Sequence, residues 1–147
     1  MDEPLIWIHG DCLDPRSPAL TAHPRAPRVF VFDEELLARY RLSLKRIAFL
    51  YECLLEIPGI EIRRGEVAAE LADAARETRA RRIVTTASIA PRFADLRDAL
   101  QRRHGLPVEA LPVDPFLPLS PEEAARLDLK RFSRYWNALR ARALTSE

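Results

Sequence analysis

Five short strand-like segments, the apolar runs Leu5–Ile8 and Val29–Phe32, the alternating Ile60–Ile62, then Ile83–Thr86 and Val108–Val113, are separated by stretches whose apolar residues mostly recur at helical spacing. That alternation constrains the fold more than any other feature. The runs are rich in the β-branched and aromatic residues that suit buried strands. Strands alternating with helices require crossover connections, which are right-handed and build a parallel sheet with helices on both faces. The expectation is an α/β, doubly wound, Rossmann-like sheet in the order 3-2-1-4-5, with Ile8, Phe30, Ile62, Val84 and Leu111 in or beside the core.

The connections differ in kind. Between the first two runs stand Pro15, Pro18, Pro24 and Pro27, so only Pro18–Ala22 can wind a short helix, with proline in its first turn. After Asp33-Glu-Glu-Leu-Leu-Ala, Ser43 is a credible N-cap for a helix to Glu56, whose Leu44, Ile47, Ala48, Tyr51, Leu54 and Leu55 share one expected inward face. Pro58-Gly59 stops it. Gly65 turns the chain into Glu66–Arg79, with Val67, Leu71, Ala74, Ala75 and Thr78 inward, and Pro91 opens a helix closed by His104-Gly105. Beyond Val113 the pattern changes to Asp-Pro-Phe-Leu-Pro-Leu-Ser-Pro and a helical tail from about Glu122 to Leu144. The expected division is an α/β domain over 1–115 and a proline-rich connector with its tail over 116–147. Phe132, Tyr135, Trp136, Leu139 and Ala143 form an apolar stripe on the tail, which either folds back on the domain or buries the stripe against a second copy or a partner chain.

Composition narrows the partners. At 147 residues, 48% hydrophobic and 31% charged, the chain is the size of one globular domain, and a formal net charge of +1 gives no global attraction to nucleic acid or membranes. No direct nucleic-acid or membrane binding is expected, since no apolar run approaches the roughly 18 residues of a membrane helix. Cys12 and Cys53 form no Cys-x-x-Cys pair, and with no signal peptide the expected setting is reducing and cytoplasmic.

The four glycines, Gly10, Gly59, Gly65 and Gly105, cannot spell a dinucleotide fingerprint or a phosphate-binding P-loop. A doubly wound sheet still has a crevice outside the carboxyl ends of its strands. Its expected lining is His9, Gly10, Asp11 and Cys12, then Asp33, then Thr86, Ala87 and Ser88, then Asp114. His9 and Cys12 lack a second ligand pair for a closed metal site, and a lone cysteine is more often a buried hydrophobe than a nucleophile. Asp11, Asp33 and Asp114 could hold Mg²⁺, as in a small hydrolase, or could cap helices and turns. A nucleotide-binding sensor using the same crevice is a third reading. Arg92, Arg97, Arg102 and Arg103, with Asp95 and Asp98, make either a solvated helix face or an anion site.

Trp7, Asp11 and Pro18-Ala19-Leu20 stand at the spacing of a W-F-R-x-D-L-R-L-x-D-N-P-A-L segment. Val29-Phe-Val-Phe-Asp33 is similar to a following second strand, and Leu42 to Leu54, with Arg46, Phe49-Leu50 and Cys53-Leu54, is similar to an R-x-x-F-L-x-x-x-L helix. Gly65, Pro91, Arg97-Asp98, Phe132 and Trp136 follow in matching order. Over nearly its whole length the chain resembles the N-terminal α/β domain of the DNA photolyase and cryptochrome family. After the first strand it carries His9, Gly10, Leu13 and Arg16 where that family usually has arginines and an aspartate.

The resemblance implies an antenna-chromophore module in which the Trp7–Leu20 loop is one wall of a crevice for a folate, deazaflavin or flavin; taken with the strand-end rule, the expected binding residues are His9, Gly10, Asp11, Asp33, Thr86, Ala87, Ser88 and Arg92. It implies no metal and no catalytic residue, and no FAD site, because the large helical domain that holds FAD and repairs DNA in the family is expected to be absent. Related to deoxyribodipyrimidine photolyase, the chain is not expected to catalyse DNA repair alone. Its expected partners are a separately encoded flavin-binding domain or a second copy joined through the tail.

Overall fold

The computed structural model describes residues 3–144. The chain divides into two compact units, Met1–Val113 and Asp114–Glu147. In the first, β1 (Leu5–Ile8), β2 (Arg28–Asp33), β3 (Ile60–Gly65), β4 (Ile83–Thr86) and β5 (Val108–Leu111) form one five-stranded sheet. The order is β3-β2-β1-β4-β5 and every pairing is parallel, as the alternation requires. Trp7 of β1 lies opposite Val29 on one side and Thr85 on the other. The central strands β1 and β4 are buried at all four positions, which explains why they read as unbroken apolar runs.

Side chains alternate across the sheet and feed two cores. Leu5, Trp7, Val29, Val31 and Ile83 pack on α4 (Val67–Thr78) and α5 (Pro91–His104) through Leu71, Ala74, Ala75, Phe93 and Leu100. Ile6, Ile8, Phe30 and Val84 pack on the other face against Ala19 and Leu20 of α1 (Pro18–Ala22), Leu54 of α3 (Leu44–Leu55) and Ile57. Ile62 and Leu111 are partly buried against this second cluster, so all five residues expected in or beside the core are found there. The short side chains of Ala68, Ala72, Ala74 and Ala75 let α4 come close to the strands. At its start, a Cβ on Gly65 would stand 2.7 Å from Glu70 Oε1, so the β3–α4 turn has no room for a side chain until Glu70 moves.

Two elements differ from the sequence reading. Asp33 caps a separate helix, α2 (Glu34–Tyr40), which ends at Arg41 in the left-handed conformation. With its direction thus reset, α3 turns only part of its broad apolar arc to the sheet. Leu54 is buried, Ile47 and Leu50 are half-buried, and Leu44, Ala48, Tyr51 and Leu55 face solvent rather than the core. On α4, Thr78 is likewise exposed, its hydroxyl donating to the carbonyl of Ala74 (2.7 Å).

In the second unit the tail is two helices, α6 (Pro121–Arg126) and α7 (Phe132–Leu144), where one was expected. Ser120 and Glu123 form a reciprocal capping box at the start of α6. The break follows from Asp128, whose carboxylate accepts the Lys130 N–H (3.1 Å) and pairs with Arg134 (3.0 Å), offering the backbone an alternative to helix. Arg142 ties the two helices, donating to Glu123 (3.0 Å) and to the carbonyl of Pro118 (2.7 Å).

Candidate functional site: a crevice at the strand ends

Strand carboxyl ends diverge where successive crossovers leave the sheet on opposite faces. Here β1 sends its chain to one face and β4 to the other, and a cavity of about 280 Å³ opens at the ends of β1 and β2, bordered by α2 and the start of α5. His9, Gly10 and Asp11 after β1, Asp33 after β2, and Arg92 at the start of α5 line it. Thr86, Ala87 and Ser88 stand behind that lining. The Thr86 carbonyl accepts from His9, Ala87 N–H continues the ladder to the Leu111 carbonyl (2.8 Å), and Ser88 bonds Asp11.

His9 is fixed by both ring nitrogens. The Asp11 N–H donates to Nδ1 (3.3 Å), so the ring proton is on Nε2, which donates to the Thr86 carbonyl at 2.7 Å. Burial lowers its pKa below the usual imidazole value and outweighs the Thr86 bond and the nearby Asp11 charge, both of which raise it. The ring therefore belongs to the wall in its neutral form. It lies 5.4 Å from Trp7 and 5.2 Å from Phe93, and Trp7 and Phe93 stack on each other at 5.4 Å. From the other sheet face, Phe30 and Phe32 also line the crevice and meet edge to face at 4.9 Å, and Leu36, Leu37 and Leu50 complete the apolar lining.

Polar groups gather near the mouth and are already engaged. Ser88 Oγ donates to Asp11 Oδ2 (2.5 Å) and accepts from the Ala90 N–H (3.1 Å). Asp33 caps α2 through Leu36 N–H (3.1 Å) and forms an ion pair with Arg92. Those bonds decide the chemistry. Ser88, His9 and Asp11 are neighbours, yet the serine bonds the carboxylate directly and His9 Nε2 is committed to a carbonyl, so no serine–histidine relay exists. Burial pushes the Cys12 thiol up to about 11, which withholds the nucleophilic thiolate at neutral pH. Among the described residues, no three His, Cys, Asp or Glu side chains come together to hold a metal ion. Nor is any described helix long and apolar enough to cross a membrane.

The sequence reading selected the polar rim and missed most of the apolar wall: Phe30, Phe32, Leu36, Leu37, Leu42 and Leu50. One signal was available. Leu36-Leu37 is an apolar pair in a segment otherwise charged, Glu34-Glu35 before it and Arg39 after it.

No protein-family model matches the chain, and no curated protein matches it. Among solved structures it is similar to a bacterial class III photolyase from Agrobacterium tumefaciens, with a TM-score of 0.52 and 23% identity. The match covers 100% of this chain and 33% of that one, so the chain spans about a third of the photolyase's length. What the two share is the fold.

Proposed function

We propose that the crevice is a binding site for a planar chromophore of the folate, deazaflavin or flavin type, and that the chain serves as an accessory module to a flavin-binding photolyase domain. The observation that carries this reading is the crevice lining itself: the rings of Trp7, His9 and Phe93 and those of Phe30 and Phe32 all border it, with Asp11, Asp33 and Arg92 as its charged members. Offset and edge-on ring contacts are the favourable way to hold a flat heterocycle, and ligand sites are mostly apolar with a few orienting polar groups. At about 280 Å³ the cavity admits a fused ring system and leaves a ligand's polar tail outside. There Arg92, the cation of the lining, can offer a phosphate or carboxylate a charge-assisted bond by giving up part of its pairing with Asp33.

The bound pigment would supply absorption of near-ultraviolet or blue light. The chain's residues do the rest: the rings hold its plane, Leu36, Leu37 and Leu50 exclude water, and neutral His9 adds no charge next to it. The fold shared with a photolyase supports the same assignment.

The test is titration of the purified protein with FMN and with a reduced folate, read by Trp fluorescence and visible absorption, beside a Phe93→Ala variant. Binding that weakens at least tenfold in the variant is the expected result. Failure of both probes to bind at about 100 µM, from protein that is also colourless as purified, overturns the proposal.

A further inference from the structure

We infer that the outer face of α3 is an interface between two copies of this chain, joined antiparallel about a two-fold axis. Leu44, Ala48, Tyr51 and Leu55 fall within one narrow stripe of the helix. All four face solvent, with Leu44 83%, Tyr51 48% and Leu55 62% exposed. Their spacing is not needed for the domain's own core, which α3 serves through Leu54. Large apolar side chains lined up in water mark a contact surface.

The pattern selects a second copy as the occupant, because it is complementary to itself when reversed. Placing the axis between Ala48 and Tyr51 sets Leu44 of each copy opposite Leu55 of the other, and the small Ala48 opposite the large Tyr51. Charge agrees with shape. Beside the stripe, on one flank, stand Lys45 near the start of the helix and Glu52 and Glu56 near its end. An antiparallel pair brings each Lys45 against the other copy's Glu52 and Glu56, whereas a parallel pair would turn that flank toward the partner's opposite flank, where Ile47 and Leu54 stand, and leave these charges without partners. A two-fold contact of this kind closes on itself and builds no filament. A helix of 12 residues is only about 18 Å long, so the contact is small and dimerisation will depend on concentration in the micromolar range or weaker.

Sedimentation equilibrium over a wide concentration range tests this with the full chain. Wild type should dimerise, and Tyr51→Glu with Leu55→Lys should raise the dissociation constant at least tenfold while leaving the circular dichroism unchanged. Charge exchange guards against a trivial loss of fold. Lys45→Glu alone should weaken the dimer, the double variant Glu52→Lys with Glu56→Lys should also weaken it, and a mixture of the two should form a heterodimer. Trp136→Ala, on the tail, should leave wild-type dimerisation as it was. A monomer at all concentrations up to about 500 µM overturns the inference. So does a dimer indifferent to the α3 substitutions, or one that Trp136→Ala abolishes, which would place the contact on the tail.

Discussion

His9 shows at the scale of one residue how burial turns a titratable group into a wall. Its folded pKa lies below the unfolded value of 6.5, so the folded state takes up a proton less readily than the unfolded chain. The contribution is therefore complete above pH 6.5 and is lost as pH falls through the lowered folded value. Urea midpoints measured from pH 8 to pH 4.5 should fall with acidity more steeply in wild type than in His9→Gln, which keeps a side-chain amide but cannot gain a proton. Parallel curves for the two proteins would show that His9 is not the group responsible. Asp33 is the second informative residue, since one carboxylate both caps α2 and pairs with Arg92. Asp33→Ala should cost about 1–2 kcal/mol, most of it the cap. Asp33→Ser, which can still accept the Leu36 N–H, should recover about 1 kcal/mol of that loss, and equal destabilisation by both would move the weight to the ion pair.

At the scale of the element, ends were more legible than faces. Ser43 caps α3 and Pro91 opens α5 as read, because those signals are local: a hydroxyl two or three residues from an unpaired N–H, a ring with no N–H of its own. The inward face of α3 was misread because its apolar arc is wider than the sheet it meets, and periodicity cannot say which half is covered. Asp128 broke the tail through its side chain, a competition that helical spacing does not register. The helix C-termini offer a paired test. Both α4 and α5 end in a left-handed residue, Arg79 (φ 58°) and Gly105 (φ 64°). An L side chain costs about 1 kcal/mol in that region and glycine does not. Arg79→Gly should therefore raise stability by about 0.5–1 kcal/mol, and Gly105→Ala should lower it by about 1 kcal/mol, both read from urea unfolding; changes of the same sign would contradict the assignment.

Across the whole molecule, the sheet order was legible and the pocket wall was not, for one physical reason. Strand order follows from connection rules that hold for any such chain, whereas the cavity depends on which of many apolar residues stop short of contact at the strand ends. Phe93, for instance, belongs to the core cluster under α5, yet the same ring also forms the crevice wall, and nothing in helical spacing separates the two roles. The division of the chain then makes a prediction of its own. Both buried clusters, and every residue lining the crevice, come from within Met1–Val113. A domain of that size buries roughly two thirds of the surface its unfolded chain exposes, enough for a cooperative core without help. A fragment of residues 1–113 should thus unfold in urea in a single transition, with a slope of about 1–3 kcal/mol/M, and should bind FMN or a reduced folate within about twofold of the full chain if either binds at all. A fragment that melts without cooperativity would show that residues 114–147 complete the core; a folded fragment that loses the ligand would show that they complete the site.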